Sequence, residues 1–474
     1  MNWTLALPEI GLALSGLVIL LAGVMQRRGQ AFFSCAMMTL LALVVTGILV
    51  VFSPDGTGYG HIFINDGFAR FMKVLSLTGA ALSVVLSVGY AREMEIDKFE
   101  FPVLIAFSTL GTMIMASSGN LMTLFVGLEL SSLSIYILCA FARDRVTAAE
   151  AGLKYFVLGS LASGLLLYGI SLAYGFAGTM EYAGLQQAVR GSAVLPAGLM
   201  VGIVFVLVGL CFKLSMVPFH MWTPDVYQGA PTSVTAYMAG APKIAAFAVL
   251  LRVMAGPFGS MTPQWQLLIE VVSAASMVFG SLAAIPQGNI KRLMAYSSIG
   301  HMGYAMIGMA AGTAEGTRGT LVYLVTYLFM NVGAFAGIVA MRRRGRAVSQ
   351  ISDLSGLGRT DPGMALAMAV FMFSMAGAPP LAGFFGKLMV FYAAINAHLY
   401  GLAAIGIVSS VIGAYYYIRI VKIMFFDAAA PALDRSPVSV SFVSVGMGLV
   451  TTFFVVGLGP VATAAQAAAS ALFR

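Results

Sequence analysis

The fold class this sequence predicts is an all-α, polytopic membrane protein, and three observations predict it. Of 474 residues, 60% are hydrophobic and 9% charged, with a mean hydropathy of +0.93; soluble domains carry roughly 25% charged residues. The apolar residues fall in runs long enough to cross a bilayer as helices. The cationic residues gather in alternate linkers between those runs, as the positive-inside rule requires of a chain threaded back and forth.

About fourteen segments reach spanning length, taking roughly 17–25 residues as the requirement. They fall near 5–24, 30–52, 68–90, 100–118, 120–141, 147–176, 196–217, 232–254, 264–285, 291–312, 317–341, 361–397, 399–424 and 438–465. The first begins in MNWTLALPEIG, which lacks the basic n-region of a cleavable signal, and it is long enough to stay in the membrane. The seventh and eighth flank a break at Pro218, the chain restarting after Pro231. The twelfth is too long for one straight helix, and Pro379-Pro380 divides it. A break inside a bilayer is tolerated only where protein or a wet cavity covers the freed backbone groups.

Arg27, Arg28, Arg92, Lys98, Arg143, Arg145, Lys291, Arg292, Arg342 to Arg344, Arg346, Arg359 and Arg435 fall on one side of this threading; Arg70, Lys73, Arg190 and Arg318 fall on the other. Positive loops stay in the cytoplasm, so both termini are expected to be periplasmic, in a multi-pass protein of the bacterial inner membrane. The net charge of +8 belongs to membrane-facing loops, not to a nucleic-acid surface. Cys35, Cys139 and Cys211 lie in apolar runs without CxxC spacing and read as buried hydrophobes. The four histidines show no metal- or haem-binding spacing, so the chain is expected to hold no metal or redox cofactor of its own.

Weak internal echoes recur in order. LELSSLSIY of the fifth span parallels MAYSSIGHMGY of the tenth, KYFVLGSLASG of the sixth parallels VYLVTYLFMNVG of the eleventh, SMVP parallels SMAGAPP, and LLRV parallels YIRIV. Spans four to eight are thus repeated by nine to thirteen, and an odd number of spans inverts the second copy. Two inverted five-helix repeats with paired broken helices form a transporter architecture, with ion sites at the breaks. The expected organisation is an N-terminal three-helix segment over 1–99, a first repeat over 100–254 with its discontinuous helix near 213–231, a second repeat over 264–424 with its break near 379–387, and a C-terminal helix within 425–474.

The candidate site is read from ionisable residues at membrane depth, which are costly and default to function. Glu129, about ten residues into its span, is the expected counter-charge to Lys213, deep in the seventh. Desolvation brings a lysine towards neutrality, and a nearby carboxylate holds its proton on, so moving one relative to the other loads or unloads the amine. Lys243 follows Pro242 in mid-span, and Lys387 follows the second break as the repeat's counterpart of Lys213. His220 and His301 read equally as relays or as satisfied cavity histidines. Lys154, a few residues inside the cytoplasmic end of its span, reads equally as a snorkelling side chain. Arg252, Arg419 and Lys422 read as interface anchors near helix ends. In sequence order Glu129, Lys213, Lys243, His301 and Lys387 suggest a polar wire along the membrane plane.

The pattern resembles the antiporter-like membrane subunits of bacterial respiratory complex I over nearly the whole chain. The residues that carry the resemblance are VGLELSSLSIY, FKLSMVPFHMWTPDVYQGAPTSVTAYMAGAPKIAAF, KRLMAYSSIGHMGY and APPLAGFFGK. The resemblance implies that Glu129 and Lys213 act as the ion pair of one half-channel. It implies that Lys243 and His301 are central relays and Lys387 the terminus of the other half-channel, with Lys154 and His220 at further polar positions. It also implies a proton-translocating role driven by NADH-to-quinone electron transfer elsewhere in a complex that uses NADH, FMN, iron–sulfur clusters and quinone. The implied partners are a sister antiporter-like subunit, small membrane subunits and the lipid bilayer, with no nucleic acid. Subunits of multisubunit cation/proton antiporters share much of this motif set, and an inactive membrane scaffold is the remaining alternative.

Overall fold

A computed structural model describes residues 3–26, 30–91, 94, 96–191 and 196–473. Arg27, Arg28 and Arg92, counted above among the loop charges, lie outside the described residues.

Helices dominate, because in lipid only a helix satisfies its own backbone within one segment. α1 (Leu7–Met25), α2 (Ala31–Phe52) and α3 (Gly67–Ala91) come first. α4 (Glu100–Ala116), α5 (Leu121–Cys139), α6 (Val146–Ala177), the short α7 (Tyr182–Gly191), α8 (Ala197–Lys213), α9 (Thr223–Gly229), α10 (Thr232–Ala239) and α11 (Ala241–Ala255) follow. Then come α12 (Thr262–Ala284), α13 (Ile290–Ala310), α14 (Ala314–Ala340), the one-turn α15 (Leu357–Thr360), α16 (Pro362–Ala376), α17 (Ala382–Asn396) and α18 (Tyr400–Phe426). α19 (Val438–Thr452) and α20 (Phe454–Leu472) close the chain. Polar residues start several helices: the Asn120 side chain accepts from the Thr123 amide, Asn289 from those of Lys291 and Arg292, Thr313 from Gly316, and Asp361 from Met364.

α10, α11, α13 and α14 are buried along almost their whole length, while α1, α2, α6, α12 and α18 leave an apolar face exposed. α6 packs along α8, α12 along α13, and α14 against α17 and α19. The bundle has two ends. Asn289 pairs with Gln350, Gly356 bonds to Ile423 and Asp434 to Arg342 at one, where the cationic loops gather. At the other, the hairpin of β1 (Gly56–Gly58) and β2 (Phe63–Asn65) meets Ser118, Asn120 pairs with Glu181, and Gln186 bonds to Gly256. Trp3 stacks edge-on to Tyr59, and Leu472 lines a cavity with Gly256 and Gly312, so both ends of the described chain lie at this second end. A second hairpin, β3 (Arg342–Arg343) with β4 (Arg346–Ala347), lies at the cationic end.

Several sequence expectations need correction. The first break starts at Leu214, not Pro218: α8 ends at Lys213, Ser215 takes φ 61°, and Val217–Pro218 is cis. Lys213 therefore ends a half-helix, where a cation meets the negative end of the helix dipole. The span through 232–254 is itself two helices, parted at Gly240 (φ −105°, ψ −95°). Pro242 thus lies in the first turn of α11, where it costs no hydrogen bond, and Lys243 lies in that turn and not mid-helix. The last span is two helices meeting at Phe453. Lys73 and Lys291, read as loop charges, and Arg252, read as an interface anchor, are all buried.

Candidate functional site: a row of buried amines

Glu129 lies midway along α5 and accepts a short hydrogen bond from Ser163 of α6. Lys213 does not reach it; among the described residues no ion-pair contact joins the two. The Lys213 ammonium instead donates to Ser132 Oγ (2.7 Å) and Tyr136 OH (3.0 Å), one and two turns along α5 from Glu129. Tyr136 and Tyr155 also present ring faces to it, at 5.2 and 5.7 Å. The expected ion pair is therefore a charge pair held apart by a hydroxyl layer.

The break after Lys213 frees backbone groups, and protein covers them. Trp222 Nε1 donates to the Phe212 carbonyl (3.0 Å), and the Val217 amide donates to Ser276 Oγ (2.9 Å). Trp222 stacks on Tyr155 at 4.2 Å and meets Tyr227 edge-on at 6.4 Å, and the Tyr227 ring lies 5.5 Å from the Lys243 ammonium. Aromatic rings thus bridge Lys213 to Lys243.

From Lys243 onward hydroxyls receive the titratable groups, and ring contacts join the clusters. The Lys243 ammonium donates to Ser298 Oγ (2.8 Å), which is hydrogen-bonded to Tyr327 OH (2.7 Å). One turn further along α13, His301 Nδ1 meets Tyr323 OH (2.6 Å) and Nε2 meets Tyr417 OH (3.1 Å). Tyr304, on the same helix, places its ring 4.9 Å from the Lys387 ammonium. Lys387 donates to the Met375 and Ala376 carbonyls, each at 3.0 Å, and to Ser410 Oγ (2.8 Å). Those carbonyls end α16, so the lysine satisfies groups the second break frees. Gly377 makes the approach possible: its φ is +94°, and a Cβ there would lie 3.1 Å from Lys387 Cδ.

Two candidates lie apart from this row. His220 packs its ring on Phe279 of α12 at 4.5 Å, and no hydrogen bond joins it to a lysine among the described residues. Lys154 reaches the cationic end with its side chain 41% exposed, pairing with Glu150 (2.7 Å) and Asp225 (2.8 Å). Asp225, which sequence reasoning passed over, also binds Arg292 at 2.6 Å. Glu150, Lys154 and Asp225 edge a cavity of about 400 Å³, and the residue after Lys154 is Tyr155, whose ring faces Lys213.

Sequence reasoning also missed the tyrosines and serines that receive the amines. Tyr323 and Tyr327 carry the signal that could have found them, being four residues apart on one face of a buried helix. No group of histidine, cysteine and carboxylate side chains suited to a metal occurs among the described residues.

The profile of the family described as NADH:quinone oxidoreductase/Mrp antiporter, TM, matches residues 118–413, which include every residue of the row. NADH-quinone oxidoreductase subunit N of Gluconacetobacter diazotrophicus is 75% identical over the full length of both chains. The chain belongs to the subunit N family. Its members from Granulibacter bethesdensis and Rhodospirillum rubrum are 59% and 54% identical, covering 100% and 98% of this chain and 100% and 97% of theirs. A chain of respiratory complex I from Thermus thermophilus with bound aureothin superposes with a TM-score of 0.84 at 32% identity, over 97% of this chain and 99% of that one. A chain of the Mrp complex from a Dietzia species reaches a TM-score of 0.86 at 23% identity, over 100% and 98% of the two chains, a likeness of fold alone. Subunit N relatives and the complex I chain place this protein among membrane-arm subunits, with neighbours in a larger assembly.

Proposed function

We propose that the chain translocates protons as a membrane-arm subunit of NADH:quinone oxidoreductase in the bacterial inner membrane, with its cationic end in the cytoplasm. The carrying observation is that Lys213, Lys243 and Lys387 end on hydroxyls, carbonyls and aromatic rings inside the bundle, at or beside helix breaks. Amines placed so expensively are accounted for by proton exchange. Lys154 and Asp225 gather protons at the cationic end. Glu129 sets the charge felt by Lys213, Lys243 and His301 relay, and Lys387 ends the row. His220 acts as a cavity residue beside it.

The ring-bridged gap between Lys213 and Lys243, and the alternating hydroxyl and ring contacts from Lys243 to Lys387, support two half-channels, one in each repeat (100–254 and 264–424). NADH, FMN, iron–sulfur clusters and quinone act elsewhere in the complex, and the sister antiporter-like subunit and small membrane subunits flank this chain. Redox-coupled pumping is preferred to cation/proton antiport because the relatives at 54–75% identity are all subunit N, whereas the Mrp likeness is of fold only.

The test is Lys213→Ala in the assembled complex. Proton pumping and coupled quinone reduction are expected to fall severalfold with assembly intact. Wild-type turnover in that variant overturns the role of the row.

A further inference from the structure

A second set of buried charges lies outside the row. Glu9, in the first turn of α1, pairs with Lys73 of α3 at 2.6 Å, their side chains 7% and 0% exposed. Lys73 Nζ also donates to Asn65 Oδ1 (3.2 Å), while Glu9 Oε2 has no hydrogen-bond partner among the described residues. Two turns before Lys73, Asp66 grips Arg252 with two hydrogen bonds of 2.8 and 2.9 Å. Arg252 lies in the last turn of α11, and Lys243 lies in its first.

These groups share one seam. α3 and α11 run antiparallel, and a Cβ on Gly79 would lie 3.4 Å from the Ala241 Cβ. Lys73 is six residues before Gly79, so it lies about 9 Å from the level of Ala241 towards the end opposite the cationic loops. The seam thus carries Lys73 with Glu9, then Asp66 with Arg252 at the outer end, while Lys243, at the inner end of α11, reaches Ser298 of α13. A thin apolar cap of Leu5, Ala6 and Phe63 lies at this outer end, beside Glu9. Burying an ion pair merely to hold α1 on α3 is poor design, since apolar side chains of similar size do that at lower cost.

We propose that Glu9 and Lys73 form the proton outlet of this subunit, an assignment that rests on the proton-translocating reading above. The Lys73 ammonium gives a proton to the Glu9 carboxylate, breaking an N–H bond and forming an O–H bond, which leaves both groups neutral. The Glu9 carboxyl releases that proton to water at the outer end. The Lys73 amine then takes one passed outward from the row, and the original charges return. One proton moves outward per cycle.

The test measures protons pumped per quinone reduced by the complex in sealed vesicles. Lys73→Arg keeps a cation opposite Glu9 but does not release a proton near neutral pH. Glu9→Gln with Lys73→Met removes both charges at similar volume. Both variants are expected to assemble, to oxidise NADH with an artificial electron acceptor as wild type does, and to lose pumped protons per quinone. A wild-type ratio in either, with Lys213→Ala defective alongside, overturns the outlet and leaves the row standing. Failure of both variants to assemble marks the pair as a structural clamp and also overturns it. Wild-type pumping in Lys213→Ala as well removes the reading beneath, and the outlet with it.

Discussion

The amines of the row are received mainly by hydroxyls and carbonyls, so single oxygen atoms are the natural points of attack. Tyr136→Phe leaves the Lys213 ammonium with Ser132 as its one hydrogen-bond partner among the described residues. Coupled quinone reduction is expected to fall, by less than the severalfold loss of Lys213→Ala, because Ser132 still receives the amine. Unchanged steady-state turnover in membranes would count against the role of this hydroxyl. At the other end of the row, Gly377→Ala forces a left-handed backbone on alanine, about 1–2 kcal/mol, and sets a methyl 3.1 Å from Lys387 Cδ. The expected outcome is a less stable complex with defective pumping, read from its thermal midpoint and vesicle acidification. Lys213, Lys243 and Lys387 were legible as candidates because a charge within an apolar run is a local pattern. Their partners were not: Ser298 meets Lys243 across 55 residues of chain, and Tyr417 meets His301 across 116. Nothing local announces such meetings.

Helix ends and linkers decide how the elements are held. Asp434 binds the amides of Arg344 (3.0 Å) and Gly345 (2.8 Å), tying the β3–β4 hairpin to the linker before α19. The Gly345 amide first, then that of Arg344 and the charges of Arg342 and Arg343, hold its carboxyl below the usual carboxylate range. A depressed acid contributes above its unfolded-chain pKa of about 3.9 and loses that contribution as pH falls through the folded value. The hairpin is therefore expected to stay protected at neutral pH and to loosen only in strong acid. Asp434→Asn should loosen it already at neutral pH, as faster amide exchange over 342–347. On the opposite face, the Asp66–Arg252 pair joins α3 to α11. Arg252→Leu strands a largely buried carboxylate and is expected to destabilise the bundle by about 3–5 kcal/mol. Adding Asp66→Asn should recover part of that loss, measured as the thermal midpoint of the purified complex.

Across the whole molecule, most of the exposed cationic side chains collect at one end of the bundle, and both ends of the described chain lie at the other. The proposed orientation is tested with Thr57→Cys in the first hairpin and Arg346→Cys in the second, both exposed. A membrane-impermeant thiol reagent on intact spheroplasts is expected to label the cysteine at 57, and the one at 346 only after permeabilisation. The reverse pattern refutes the orientation.

Composition and apolar run length determined by themselves that this chain is a helical, polytopic membrane protein, because a bilayer accepts little else. Prolines located the interruptions after Lys213 and Ala376 to within a few residues, since a ring without an N–H leaves a mark in the sequence, but not those at Gly240 and Phe453. Tertiary structure alone decided which charges are buried. Lys73, Lys291 and Arg252 lie near helix ends, where a long side chain either reaches water or turns inward to a partner. Lys73 finds Glu9, Lys291 finds the Ala230 carbonyl at 2.6 Å and Arg252 finds Asp66, while Lys154 keeps its partners at the surface. That choice depends on what neighbouring helices offer, and those neighbours come together only when the bundle packs.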